Sequence, residues 1–131
     1  MTFSDSGAHV SQIADSSIQT YLLSYWVRER QAFSLEEAVR MVTHDPAKAW
    51  GFYDRGLIRE GFAADLNVFD PKSLSPELPA LVGDLPGGAR RFIQHAQGYL
   101  ATIVGGDVVF RGGQHSGALP GRLLRRGIAT K

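Results

Sequence analysis

The chain has 131 residues, 44% of them hydrophobic and 21% charged, with a formal net charge of +1. That suits one compact domain and excludes a disordered chain, while the near-neutral balance gives no footprint for nucleic acid or an anionic membrane. Cysteine is absent, which removes disulfide scaffolds, thiol nucleophiles and thiolate-bound zinc.

The first third reads as helical. Ile18, Tyr21, Leu22, Tyr25 and Trp26 recur at the spacing of one helical face. Asp15 or Ser16 is placed to cap the start, and Arg28 and Arg30 suit the negative end of the helix dipole. Ser34-Leu35-Glu36-Glu37 is a capping-box pattern that announces a second helix with Leu35, Ala38, Val39 and Val42 on its apolar face. Asp45-Pro46 reads as a cap plus first-turn proline for a third, short helix ending near Trp50-Gly51.

After Gly51 the period changes. Leu57-Ile58 and residues 65–69 are short strand-forming segments separated by Gly61. Residues 71–88, with four prolines and three glycines, form a long connection. Residues 99–104 and 107–110 flank Gly105-Gly106, a hairpin signal, and Gly112-Gly113 closes the second strand. The four histidines fall on a loop (His9), a helix boundary (His44), a strand (His95) and a tail (His115). Helices followed by a few strands indicate an α+β class. Strands this few leave exposed edges unless something else pairs with them.

The most suggestive cluster is Ser4-Asp5-Ser6-Gly7-Ala8-His9, a carboxylate, an imidazole and hydroxyls just ahead of an amphipathic helix. Active-site loops on rigid scaffolds have this composition, and so do chain termini with polar caps. The cluster resembles the last barrel-strand motif of the metal-dependent amidohydrolase superfamily, specifically the N-acyl-D-amino-acid deacylase (D-aminoacylase) group. The likeness continues through residues 23–30, 34–40 and 43–47. It includes the G-x4-G-x2-A-D-L pattern of Gly56, Gly61, Ala64, Asp65 and Leu66, then the hairpin and residues 117–122.

The resemblance implies a hydrolase of linear amides, in which a zinc-bound water attacks the acyl carbonyl of an N-acyl amino acid. Asp5 then matches the final-strand aspartate that binds or faces the metal and acts as general base and acid. His9 and Ser6 are candidate substrate contacts. The fold implied is the C-terminal part of a TIM-barrel enzyme. Residues 1–53 would supply the last barrel strand and helices, and residues 54–131 part of the accessory β domain, with the Pro/Gly-rich connection at 71–88. A complete barrel needs about 250 residues, and no His-x-His or other metal-ligand spacing is present. The chain alone is therefore expected to be inactive and to bind no zinc by itself.

Other positions read as structural. Asp65 is expected to bond a turn backbone, Gly56 and Gly61 to serve backbone conformation, and His44 to sit in a cap region. Tyr21, Tyr25 and Trp26 are expected to pack on strands that this chain lacks. Their exposure would favour a homo-oligomer, or association with the missing barrel portion. That makes an assembly module the alternative function. A serine hydrolase using Ser4 or Ser6 lacks a G-x-S-x-G elbow. Nucleic-acid binding through Arg122, Arg125, Arg126 and Lys131 lacks interleaved aromatics. No apolar run approaches the ~20 residues of a membrane helix, and residues 1–30 hold no signal-peptide pattern. The expectation is a cytoplasmic protein without a membrane partner.

Overall fold

The computed structural model describes residues 16–125. Helix α1 (Ile18–Tyr21) runs directly into a π-helical segment, Leu22–Glu29. The predicted apolar stripe is therefore helical, but its winding widens after one turn. Ser17 occupies the N-cap position, one residue beyond Ser16, and makes no side-chain capping bond.

Helix α2 (Leu35–Val42) begins as expected. The Ser34 hydroxyl accepts from the Glu37 backbone N–H at 3.2 Å, and the Glu37 carboxylate accepts from the Ser34 backbone N–H at 2.9 Å. The Ser34 backbone N–H foremost, and the Ser34 hydroxyl, which donates to the same carboxylate at 2.9 Å, hold the Glu37 carboxyl below its ordinary range. Helix α3 (His44–Trp50) starts two residues earlier than the Asp45-Pro46 pattern predicts, with Thr43 rather than Asp45 at the N-cap position. Thr43 separates it from α2, and the Thr43 hydroxyl donates back to the Val39 carbonyl at 2.7 Å. Asp45 stands in the first turn and pairs with Arg40 at 3.2 Å. Gly51 then ends α3 in a left-handed conformation.

Leu57 and Ile58 form no strand. They lie in a turn-rich loop, and Ile58 is 93% exposed. A short apolar segment becomes a strand only where a neighbour completes its hydrogen bonds, and none does so here among the described residues. Strand β1 (Leu66–Phe69) follows, then β2 (Ser75–Pro76), β3 (Ala80–Val82), β4 (Arg91–Ile93) and β5 (Ala96–Gln97). The connection at 71–88 thus carries two short strands and a 3-10 turn at Pro86–Gly88. Strands β6 (Tyr99–Val104), β7 (Asp107–Arg111) and β8 (Gln114–His115) complete the set. His95 falls between β4 and β5 rather than in a strand, and His115 lies in β8 rather than in a tail.

The main sheet has the order β1-β6-β7-β8, antiparallel throughout. Gly105 and Gly106 make the β6–β7 turn with φ of 59° and 93°. Successive positive φ values are what a tight hairpin turn of matching twist requires, and glycine adopts them without strain. Strand β1 pairs on one side with β6, and its other edge has no strand beside it among the described residues. The remaining strands form two-stranded ribbons, β2–β5 and β3–β4. Asp84 and Arg91 close the second ribbon with two short bonds, 2.8 and 2.7 Å. The guanidinium holds the Asp84 carboxyl below its usual value.

Helices and strands meet around Leu74, which is 1% exposed and joins Leu23 and Ala38 in the core. Arg28 crosses the same junction. One of its terminal nitrogens donates towards the carbonyls of Pro71 and Lys72 at 3.3 and 3.2 Å, and towards that of Leu74. Nearby, the hydroxyls of Thr20 and Tyr99 bond at 3.0 Å. Among the described residues, Leu23, Ala38, Leu74 and Val109 are the buried hydrophobics.

A core this small makes each member costly to lose. Leu74→Ala is expected to destabilise the chain by about 2–5 kcal/mol in urea unfolding. Leu78→Ala, at a side chain 91% exposed, should change stability by less than about 0.5 kcal/mol. Equal effects would contradict the placement of the core.

Acid should weaken the fold in a defined window. Asp54, Asp70 and Asp84 have native pKa values lowered by their hydrogen-bond partners. The unfolded chain therefore binds more protons than the native state just below pH ~4, the ordinary aspartate range. Their stabilisation is complete above that value and is lost as pH falls through the lower native pKa values. Urea midpoints at pH 7, 5 and 3 should show the loss between the last two. Arg91→Ala should reduce that loss, and an unchanged loss would remove Asp84 from the account.

Candidate functional site

The cluster at residues 4–9, with the predicted Asp5, Ser6 and His9, lies outside the described residues. What the structure describes is the G-x4-G-x2-A-D-L stretch and the three later histidines.

The stretch forms a clasp between the helices and the sheet. The Ala63 backbone N–H donates to the Asp54 carbonyl at 2.8 Å, closing the loop on itself. Arg55, with a side chain only 20% exposed, reaches both ends of that loop. Its Nε donates to Asp54 Oδ1 at 3.1 Å and its Nη1 to Asp65 Oδ2 at 2.7 Å. The Arg55 hydrogen bond holds the Asp54 carboxyl below its usual range. The other oxygen of Asp65 accepts from the Gly105 backbone N–H at 2.8 Å. Beside it the Ala64 carbonyl accepts from the Gly106 N–H at 3.1 Å. Asp65 is thus the backbone-bonding residue that its place in the motif suggests, and the turn it holds is the β6–β7 hairpin.

Gly56 is fixed by contact as well as by conformation. Its φ is +84°, and an added Cβ would lie 2.9 Å from both the His44 Cα and the Thr43 carbonyl oxygen. Both are backbone atoms that cannot swing aside, so the glycine serves close packing on the start of α3. His44, beneath it, has a buried Nδ1 without a hydrogen-bond partner among the described residues.

The histidines stay apart. His115 Nδ1 accepts from the Gly117 backbone N–H at 3.0 Å, and its ring meets Phe110 edge-on at 5.0 Å. His95 is exposed, and its backbone carbonyl accepts from Glu77. No group of three His, Asp or Glu side chains able to hold a metal ion exists among the described residues. These residues do not fit a catalytic metal.

Described residues line two shallow clefts. One, of about 190 Å³, lies between the π-helical segment and the 69–74 loop and is walled by Leu23, Val27, Leu35, Phe69 and Leu74. It is almost wholly apolar and offers no convergent polar groups for chemistry. The other, of about 210 Å³, lies on the β6 face beside Gln94, His95, Tyr99 and Phe110. Gln94 Nε2 donates to the Glu77 carbonyl at 2.8 Å, while its buried Oε1 has no partner among the described residues. The sequence patterns placed Arg28 only at a helix end and did not point to Gln94, because both bond to backbone carbonyls, which leave no side-chain signature. No helix among the described residues is long and apolar enough to cross a membrane.

Comparison with known proteins extends this picture. The model of the amidohydrolase family matches residues 5–110. An uncharacterised protein of Mycobacterium tuberculosis (strain ATCC 25618 / H37Rv) is 35% identical across 97% of this chain and 23% of its own length. An N-acyl-D-aspartate deacylase of Alcaligenes xylosoxydans xylosoxydans is 34% identical across 84% of this chain and 20% of its own. A solved D-aminoacylase mutant in complex with CuCl2 superposes with a TM-score of 0.65 and 30% identity, over 82% of this chain and 21% of that one. The chain therefore spans about a fifth of the length of the relatives it matches.

The clasp can be tested directly. Asp65→Ala removes the acceptor for Gly105 and the partner of Arg55, and is expected to cost about 1 kcal/mol given the partial exposure of the pair. Asp65→Asn keeps an acceptor oxygen and should cost less. Urea unfolding of the two variants gives the comparison, and a larger loss in Asp65→Asn would contradict the backbone-bonding role.

Proposed function

Because the chain belongs to the amidohydrolase family, we propose that it forms one part of an enzyme that hydrolyses linear amides of the N-acyl amino acid type. In this reading residues 1–53 supply the last barrel strand with its following helices, and residues 54–131 supply part of the accessory β domain. The observation that carries it is the family match, which begins at Asp5 and ends at residue 110, so that its span takes in the clasp and the hairpin. The N-acyl-D-aspartate deacylase named above supports the substrate class.

Asp5 is the proposed proton carrier. A carboxylate within hydrogen-bond reach takes the proton from an attacking water and returns it to the departing amine. Ser6 and His9, on the same short stretch, are the proposed substrate contacts. A catalytic zinc, the metal proposed for the complete enzyme, would need ligands beyond residues 16–125, since these residues offer no cluster for it. The chain alone is accordingly proposed to be inactive.

Two measurements on the purified chain address this. Elemental analysis at neutral pH is expected to find no stoichiometric zinc, and release of free amino acid from N-acyl-D-amino acids should stay at background. Stoichiometric zinc together with turnover would overturn the proposed inactivity. In any active form, whether the chain itself or a complex that contains it, Asp5→Asn should lower turnover by about 10²–10⁴-fold with unchanged far-UV circular dichroism. Full activity in that variant would take Asp5 out of the role.

A second reading, an assembly module, is favoured by the large apolar side chains left exposed. Tyr21 is 44% exposed, Trp26 43% and Ile58 93%. It predicts association that grows with concentration in size-exclusion chromatography. A monomer at every concentration would count against it.

A further inference from the structure

We draw no further inference here: the strongest candidate, the half-exposed aromatic face of the π-helical segment and the turn before it, formed by Tyr21, Tyr25 and Trp26 with Arg30 over the Tyr25 ring, carries nothing because nothing in the structure shows what covers it.

Discussion

One terminal nitrogen of Arg28 faces three backbone carbonyls, those of Pro71, Lys72 and Leu74. Such a nitrogen carries two hydrogens, so three oxygens share two donors and the loop must curl closely around the arginine. Asp70 sets that curl. Its carboxylate accepts from the Lys72 backbone N–H at 3.0 Å and from the Ser73 hydroxyl at 2.7 Å, and its carbonyl accepts from the Leu74 N–H. The curl delivers Leu74 to the place where Leu23 and Ala38 bury it. With so few buried hydrophobics, this loop is what turns a helical run and a set of strands into one packed unit.

The clasp around Arg55 works on the same physical terms. Arg55 spans Asp54 and Asp65, and Asp65 in turn holds the Gly105 amide. In both places an arginine gathers the oxygens of a loop, one distant in sequence for Arg28 and its own for Arg55. Arginine suits the task because its planar fork offers several donors at fixed angles and stays charged while partly covered. Ion pairs of this exposure are individually weak. Their contribution here is orientation, which places the β6–β7 hairpin against the end of the helical segment.

Much of this fold was legible because much of it is local. The capping box at Ser34 and Glu37 closes within four residues, and the Gly105-Gly106 turn needs only its own backbone freedom. The π-helical winding after Tyr21 was not legible. The apolar stripe showed a helix but not the side this chain covers, since Thr20, Leu23 and Ser24 are buried while Tyr21 and Trp26 stay exposed, and it says little about whether each N–H reaches back four residues or five. Leu57-Ile58 failed as a strand for the opposite reason: the propensity is present and the partner is not. The role of Asp65 was legible in kind, as a backbone-bonding carboxylate. Its partner, 40 residues along the chain, was not, since every residue carries the same amide. Of the proposed site, the residue types at 4–9 were visible in sequence, while their arrangement lies outside the described residues.

The carboxylates that the structure does describe bear on where proton transfer belongs. A carboxylate works best as a proton carrier when its pKa lies near the working pH, which calls for an upward shift. Glu37, Asp54, Asp70 and Asp84 are all shifted the other way, each by a hydrogen-bond partner that favours the charged form. Asp45 and Asp65 are engaged by Arg40 and Arg55. These groups are committed to caps, turns and ion pairs. The three later histidines lie on separate elements and share no site. Within residues 16–125 these polar groups hold helices, turns and strands together, while Asp5, the proposed proton carrier, lies outside the described residues.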